Sequence, residues 1–314
     1  MNARFVSAFA ADIEAMLQLR DGLGLARASL ESRMRSFDRY ALTEYPGLVA
    51  LTAEVAIGWV QDGGKPNTGP PLDKARAVRA FGLYLRSVGI EAFVLPGEWV
   101  KQPRAKPPHM FTDVELVAFF TGCDKVGPSG RDRLRGCKAA VIFRLMLACG
   151  LRPKEARMLR RVDVDTSNLV LVVNASKGNK DRRVPFDEPM GRLLAAYDAV
   201  ADSHTPDRHW FFQAGSGGPH PATWLNTQYQ RCRALAGGVA PGSVPYTLRH
   251  NHATRVLTNW IEQGENLGNK LAYLSAYLGH ADYEATAYYV HLLPARLAAT
   301  GLTSITAVVP KVQR

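Results

Sequence analysis

A proline-rich basic segment, residues 101–108 (KQPRAKPP), divides the chain of 314 residues into two parts. Proline disfavours helix and lysine keeps a segment solvated, so we expect an exposed linker over about residues 101–110. The length also favours two domains, at roughly 100–200 residues per domain. We therefore expect a first domain of residues 1–100 and a second of residues 111–314, ending in a tail over about residues 292–314.

The first part has the apolar period of amphipathic helices. Phe5, Phe9 and Ile13 recur at four-residue steps, which places them on one helical face. Similar patterns predict helices over about residues 26–40, 52–60 and 73–88, with a glycine- and proline-rich loop from Asp62 to Pro71 before the last. This part is expected to form a small all-α bundle.

The second part mixes helices with one pair of strands. Residues 169–173 (LVLVV) predict a strand, residues 176–180 a turn and residues 182–185 a return strand, which together make a hairpin. Helices are expected around this hairpin, over about residues 113–120, 131–149, 187–201, 221–235, 247–260, 270–278 and 283–291. The predicted fold class is mainly α with a small β-hairpin (α+β).

Composition and motifs exclude several classes of protein. Hydrophobic residues make up 46% of the chain, which is enough for a packed core, yet no window holds ~18 uninterrupted apolar residues. The N-terminus lacks the pattern of a signal peptide, and the four cysteines show no CxxC spacing, so we expect a cytoplasmic protein with buried thiols. No P-loop, GxGxxG, HExxH or Cys/His ligand spacing occurs, and we expect neither a cofactor nor a metal.

Positive charge is concentrated in the second part. Residues 1–105 hold 13 Lys and Arg against 11 Asp and Glu, whereas residues 106–314 hold 26 against 17. A basic domain favours a polyanionic partner, most simply nucleic acid, although charge that serves only solubility would give the same count.

Four separated segments carry polar residues suited to one phosphate group. Arg152 lies between a predicted helix end at Gly150 and a helix start, and Lys177 lies at the hairpin tip. Tyr246 and Arg249 are three residues apart and share a face of a helical turn. The fourth segment contains His280 and Tyr289, which can converge only if the helix breaks between them, with Asp282 as a plausible N-cap.

These segments resemble the tyrosine recombinase (lambda-integrase-like) family. The motifs are ACGLRPKEA (148–156), KGNKDR (177–182), TLRHNHAT (247–254) and LGH (278–280) with Tyr289 nine residues beyond. The resemblance covers the second part at family spacing, whereas the helical first part is similar to the family's core-binding domain in type and size.

The resemblance implies a chemistry for each residue. Tyr289 would attack a DNA phosphodiester and form a 3′-phosphotyrosyl link, which stores the bond energy without ATP. Arg152 and Arg249 would clamp the non-bridging oxygens, Lys177 would protonate the leaving 5′-oxygen, and His280 would donate a hydrogen bond to the phosphate. Glu155 would be a buttress. The implied partners are double-stranded DNA, a tetramer of this chain in the synapse, and accessory DNA-binding proteins or sister recombinases; the implied location is the nucleoid.

Two features depart from the family pattern. Tyr246 stands where the family commonly has histidine, and since a phenol is a poor base near neutral pH, we expect it to position the phosphate. The stretch from Arg249 to His280 is longer than in compact members and resembles transposon-borne recombinases. The neighbouring Tyr288 leaves the register of the nucleophile open.

Two alternative functions stay open. One is a type IB topoisomerase-like enzyme, and the other is a DNA-binding regulator without catalysis. The DNA target cannot be read from the sequence.

Overall fold

The structure is a computed structural model that describes residues 5–25, 27–62, 69–100, 107–130, 132–174, 181–280 and 284–300. Within these ranges, only the backbone is described for residues 69, 70, 291 and 294–300. The chain divides into two compact units, residues 1–106 and 107–314, and each has its own hydrophobic core. The division falls inside the stretch expected to be a linker.

The described residues of the first unit form four helices, which are α1 (Ala10–Gly22), α2 (Ala28–Glu44), α3 (Ala53–Gln61) and α4 (Gly69–Ser87), followed by a 3-10 turn at Gly97–Val100. The predicted all-α bundle is confirmed, since the described residues of this unit contain no strand. Its core is aromatic: the rings of Phe37 and Trp59 lie 5.3 Å apart, and Phe9 and Phe81 pack beside them.

Helix α4 begins earlier than the sequence indicated. The predicted loop was to extend to Pro71, but α4 already begins at Gly69. Pro70 and Pro71 therefore lie in the first helical turn, where the N–H that proline lacks has no intrahelical partner to lose.

The second unit contains eight helices and one sheet among its described residues. The helices are α5 (Asp113–Asp124), α6 (Arg135–Cys149), α7 (Pro153–Arg157), α8 (Glu188–His204), α9 (Ala222–Leu235), α10 (Tyr246–Glu262), α11 (Leu267–Leu278) and α12 (Glu284–Thr300). The antiparallel sheet has the order β1 (Val164–Asp165), β2 (Val170–Val173) and β3 (Arg182–Pro185). The fold is mainly helical with a small sheet, as predicted.

Two features of this unit were not predicted from the sequence. Strand β1 has only two residues, too few for an alternating pattern, and a 3-10 turn at Arg161–Asp163 precedes it. Cys137 is exposed, whereas all four thiols were expected to be buried. It lies near the start of α6, where the buried position next to it is taken by Lys138, whose ammonium is 2.8 Å from Asp132.

Helix α12 is longer than predicted. It was expected to end near His291, but it continues through Pro294 to Thr300. Leu292 and Leu293 are buried in the core of the second unit, and this packing holds the helix across a proline that removes only one backbone hydrogen bond. Residues 301–314, which contain most of the expected tail, lie outside the described residues.

Helix α10 lies at the centre of the second unit, where it packs against α6, α11 and α12. Its buried residues belong to two apolar clusters, one built around α6 and one formed with α11 and α12. Side chains from the start of α10 therefore lie where the ends of these helices meet. Among the described residues, no helix is both long enough and apolar enough to cross a membrane.

Candidate active site

The site is built where two helices end. Gly150 is the C-cap of helix α6 and Gly279 is the C-cap of helix α11, with φ angles of 59° and 67°. This left-handed conformation suits glycine, because an L side chain clashes there. The last carbonyls of a helix have no intrahelical partners and carry partial negative charge. Two sets of such carbonyls come together here and attract cations.

Arg249 bridges the two helix ends. Its side chain is fully buried, and it donates from Nη1 to the carbonyl of Gly150 and from Nη2 to that of Leu278, both at 2.7 Å. Its Nε is buried with no hydrogen-bond partner among the described residues. Burial, followed by the charge of Arg152, lowers the pKa of this guanidinium. Arg249 is thus a rigid buried cation with an unused donor.

Arg152 approaches the same helix ends from the start of α7. It donates from Nη2 to the carbonyl of Gly279 at 2.7 Å and from Nη1 to Glu155 at 2.6 Å. Its backbone N–H also donates to Glu155, at 2.8 Å, and Pro153 occupies the first helical position as predicted. The side chain stays 15% exposed, so this guanidinium is reachable from solvent.

Glu155 is the acidic centre of the cluster. Its carboxylate also accepts a bidentate pair of bonds from Arg182, at 3.0 and 2.8 Å, and Nη1 of Arg249 lies 3.9 Å away. Burial alone would raise the pKa of Glu155, but bonds from Arg182 and then Arg152 hold it below its usual value. The carboxylate is therefore ionised at neutral pH and, as expected, supports the arginines.

The two neighbouring tyrosines of α12 lie in different surroundings. Tyr289 is 2% exposed, and burial raises the pKa of its phenol to about 12 although nearby Arg249 opposes that rise. Tyr288 is 41% exposed. Arg249 and Arg152 both act on the titration of the Tyr289 phenol. This environment favours Tyr289 as the candidate nucleophile.

His280 and Tyr289 converge because the helix breaks between them, as the sequence required. Helix α11 ends at Leu278 and α12 begins at Glu284. The two rings stack with centroids 5.9 Å apart, and Nδ1 of His280 lies 2.6 Å from the hydroxyl of Thr286. The suggested N-cap, Asp282, lies outside the described residues.

Tyr246 and Arg249 share the first turn of α10, as predicted. The ring of Tyr246 lies 4.9 Å from that of His250, and His250 in turn lies 5.5 Å from Tyr289. Burial and then Arg249 lower the pKa of His250 to about 4, so its imidazole is neutral at neutral pH. Tyr246 thus reaches the cluster through His250, a contact that the sequence analysis missed.

The structure brings together five of the six predicted site residues: Arg152, Tyr246, Arg249, His280 and Tyr289. The sixth, Lys177, lies in residues 175–180, outside the described residues. No group of three or more His, Cys, Asp and Glu with metal-binding geometry occurs in the described part of the chain. The cluster combines two arginines with a buried phenol, which suits an anionic phosphodiester.

A sequence model of the phage integrase family matches residues 116–296, more than half of the chain. The chain belongs to the phage integrase family. Its described fold also fits this family, since it is similar to the crystal structure of XerH site-specific recombinase bound to palindromic difH substrate, a post-cleavage complex. That match has a TM-score of 0.61 at 18% identity and covers 94% of this chain and 84% of the other.

Two bacterial relatives extend over most of the chain. The protein y4rE of Sinorhizobium fredii, named as a predicted integrase/recombinase, is 30% identical over 88% of this chain and 90% of its own length. The tyrosine recombinase XerD of Brucella melitensis is 28% identical, over 87% of this chain and 90% of its own length. This chain is therefore a site-specific DNA recombinase. The comparisons give no support to the alternative of a type IB topoisomerase-like enzyme.

Proposed function

We propose that this recombinase cleaves one DNA strand with Tyr289, forming a 3′-phosphotyrosyl link and releasing a 5′-hydroxyl, and that the reverse reaction rejoins the strand. The observation that carries the proposal is the burial of the Tyr289 phenol beside Arg249 and the His280 ring, while Tyr288 is exposed. A phenol is a workable nucleophile and leaving group, so the link conserves the energy of the broken bond.

Arg152 and Arg249 stabilise the charge that develops on the non-bridging oxygens. Both guanidiniums are fixed before DNA arrives, because helix-terminal carbonyls hold part of each fork. The buried Nε of Arg249 forms no standard hydrogen bond with the described residues, although the guanidinium interacts with the Tyr289 phenol. Donors held in place in a water-poor site stabilise a transition state strongly because they need no reorganisation.

Three further residues assist in this proposal. His280 donates to the phosphate, and its contact with Thr286 fixes the ring. Lys177 protonates the leaving 5′-oxygen as general acid. Tyr246, at the position where the family resemblance implies histidine, positions the phosphate through its hydroxyl, which can donate a hydrogen bond.

The burial of Tyr289 has a consequence for this reaction. A side chain only 2% exposed cannot reach a phosphate bound from solvent, and Arg249 is fully buried as well, so α12 must shift to open both residues to the DNA when the nucleophile engages. The phenol is protonated at neutral pH, and burial, which raises its pKa to about 12, makes ionisation still less favourable until then.

We extend the proposal to the assembly. Residues 1–100 act as a helical core-binding domain and residues 111–314 as the catalytic domain, and both contact duplex DNA through phosphates. DNA as the partner is supported by the similarity to XerH, a site-specific recombinase that was crystallised bound to its difH substrate. Four protomers form the synapse of a mobile element, in the cytoplasm and with accessory DNA-binding proteins or a sister recombinase.

The test uses nicked suicide duplexes tiled across the DNA that flanks the gene for this chain. The nick traps the covalent intermediate, because the short fragment that carries the new 5′-hydroxyl diffuses away after cleavage and cannot rejoin the strand. Wild type is expected to form a covalent adduct on a subset of these duplexes, and Tyr289→Phe is expected to bind them and form none. Tyr288→Phe is the matched control and should retain adduct formation.

Two outcomes contradict the proposal. Adduct formation by Tyr289→Phe but not by Tyr288→Phe would move the nucleophile by one residue. Binding without any adduct by the wild type would favour the DNA-binding regulator.

A further inference from the structure

Arg182 is a buried cation that lies outside the proposed phosphate clamp. It is the first residue of β3 and pairs with Val173 across the sheet, so the segment that contains Lys177 connects these two paired residues. Its side chain is 9% exposed, and its Nε donates to the carbonyl of Tyr277 in the last turn of α11 at 2.9 Å. Both terminal nitrogens donate to Glu155 in α7. One side chain thereby joins the sheet to the two helices that hold the site.

The Glu155 carboxylate is saturated with donors. A carboxylate offers about four lone-pair sites. Oε1 accepts from Nη1 of Arg152 and Nη1 of Arg182, and Oε2 accepts from the backbone N–H of Arg152 and Nη2 of Arg182. The Nη1 of Arg249 lies 3.9 Å from Oε2, and the carboxylate has no further lone pair to accept a hydrogen bond from it. Arg182 therefore supplies half of the donors that Glu155 can take.

Gly279 allows this arrangement. A Cβ added at Gly279 would lie 3.0 Å from Nη1 and 3.1 Å from Cδ of Arg182. The Arg182 side chain thus lies against the turn that carries the carbonyl accepting from Arg152 and that leads to His280. A larger residue at this turn would displace the guanidinium from Glu155.

We propose that Arg182 is a positioning residue: by saturating Glu155 it keeps the carboxylate from drawing Arg152 and Arg249 away from the DNA phosphate. The inference rests on the proposed function, because it assigns the freed donors to a scissile phosphodiester. Without Arg182, two lone-pair sites open on a buried anion beside two arginines. Those guanidiniums would then turn further toward Glu155, because a buried carboxylate that has lost half of its donors is costly. The phosphate would lose donors even though each catalytic side chain is still present.

The experiment measures single-turnover adduct formation by the full chain on the nicked duplexes that the wild type cleaves. Arg182→Met keeps much of the side-chain volume and removes the charge, and we expect its rate to fall about 10²-fold, as a misplaced catalytic group typically does. The affinity of Arg182→Met for the same duplex should stay within about threefold of the wild-type value. Only the contacts to the scissile phosphate are disturbed, and many other phosphates contribute to binding.

A second variant separates positioning from general damage to the fold. Glu155→Gln in the Arg182→Met background removes the anion that would draw in the arginines, and replacing both members of a buried ion pair is far milder than breaking it. We expect the double variant to cleave at least about tenfold faster than Arg182→Met. A purely structural role for Arg182 predicts no such rescue, because the double variant loses one more native group.

Arg208→Met is the matched control. Arg208 is another buried arginine of the second unit, with a side chain 2% exposed against 9% for Arg182, but it pairs with Asp198 and Asp202 away from the site. The Arg208→Met variant should have a lower thermal unfolding midpoint than the wild type. The cleavage rate of its folded form should be unchanged.

A normal rate for Arg182→Met, or a double variant no faster than Arg182→Met, would overturn the inference while wild-type adducts uphold the proposed function. If the wild type forms no adduct on any duplex, both fail together.

Discussion

Replacing Gly150 by alanine tests how closely the helix ends pack beneath the arginine site. Gly150 has a φ of 59°, and its carbonyl accepts from Arg249. An added Cβ would lie 2.6 Å from Cδ2 of His252 and 2.8 Å from Cδ2 of Leu278. The His252 ring cannot move aside easily, because its Nδ1 is 2.9 Å from the carbonyl of Leu147 and its face stacks on Tyr277.

The expected loss of stability has two parts. An L residue in the left-handed region costs about 1–2 kcal/mol, and forcing extra atoms into a packed core costs about 1–3 kcal/mol. We therefore expect Gly150→Ala to lower the free energy of unfolding of the second unit by about 2–5 kcal/mol.

Gly264→Ala separates the two parts. Gly264 has a φ of 70°, but a Cβ there meets no described atom within 4 Å. Only the conformational cost of about 1–2 kcal/mol should remain at that position. The difference between the two variants measures the overpacking at Gly150 alone.

The measurement is native-state hydrogen exchange on peptides from α6 and α10, which reports the second unit without interference from the first. Cleavage of a nicked duplex is measured in parallel, and Gly150→Ala should be slower than Gly264→Ala because its carbonyl positions Arg249. Equal losses of stability in the two variants would refute the close packing inferred at Gly150.

Four other outcomes follow from the same structure and sequence. Cleavage should survive excess chelator, because in the proposed mechanism arginine, lysine and histidine side chains stabilise the phosphate; strict dependence on added magnesium would contradict this. Duplex affinity should fall about 10³-fold or more between ~50 and ~200 mM salt if ~6 or more phosphates are neutralised, and a flat titration would refute phosphate-dominated binding. Because the pKa of Tyr289 is raised to about 12, its native state holds the proton more tightly, and stability should fall as pH rises from 10 to 12. Tyr289→Phe should flatten that decline relative to Tyr288→Phe in denaturation at each pH. Deleting residues 302–314 should leave single-site binding nearly intact and reduce strand exchange, whereas an unfolded monomer would show that the tail belongs to its own domain.

Local chemistry made much of the fold predictable. Gly150 ends α6 in the left-handed conformation and Pro153 opens α7, because both effects depend on backbone constraints of the residue itself. The limits of α12 were not predictable in this way. Pro294 argued locally for an end, but the burial of Leu292 and Leu293 against other helices outweighed it.

The sequence predicted which residues of the candidate site come together, apart from Lys177, but it did not predict their contacts. Spacing along the chain put Tyr246 beside Arg249 and required a break before Tyr289, and both features are present. Arg182 was passed over because its partners, Glu155 and the carbonyl of Tyr277, are distant in sequence. Nothing in a strand pattern distinguishes an arginine that faces a buried carboxylate from one that faces solvent.

Arg249 links the stability of the fold to the proposed chemistry. Two of its donors satisfy the terminal carbonyls of α6 and α11, which would otherwise be buried without partners. The same bonds fix the plane of the guanidinium and leave Nε without a partner among the residues described. Lysine could supply the charge but not a planar fork that spans two carbonyls while still presenting a third donor. The position therefore favours arginine for packing and for phosphate binding alike.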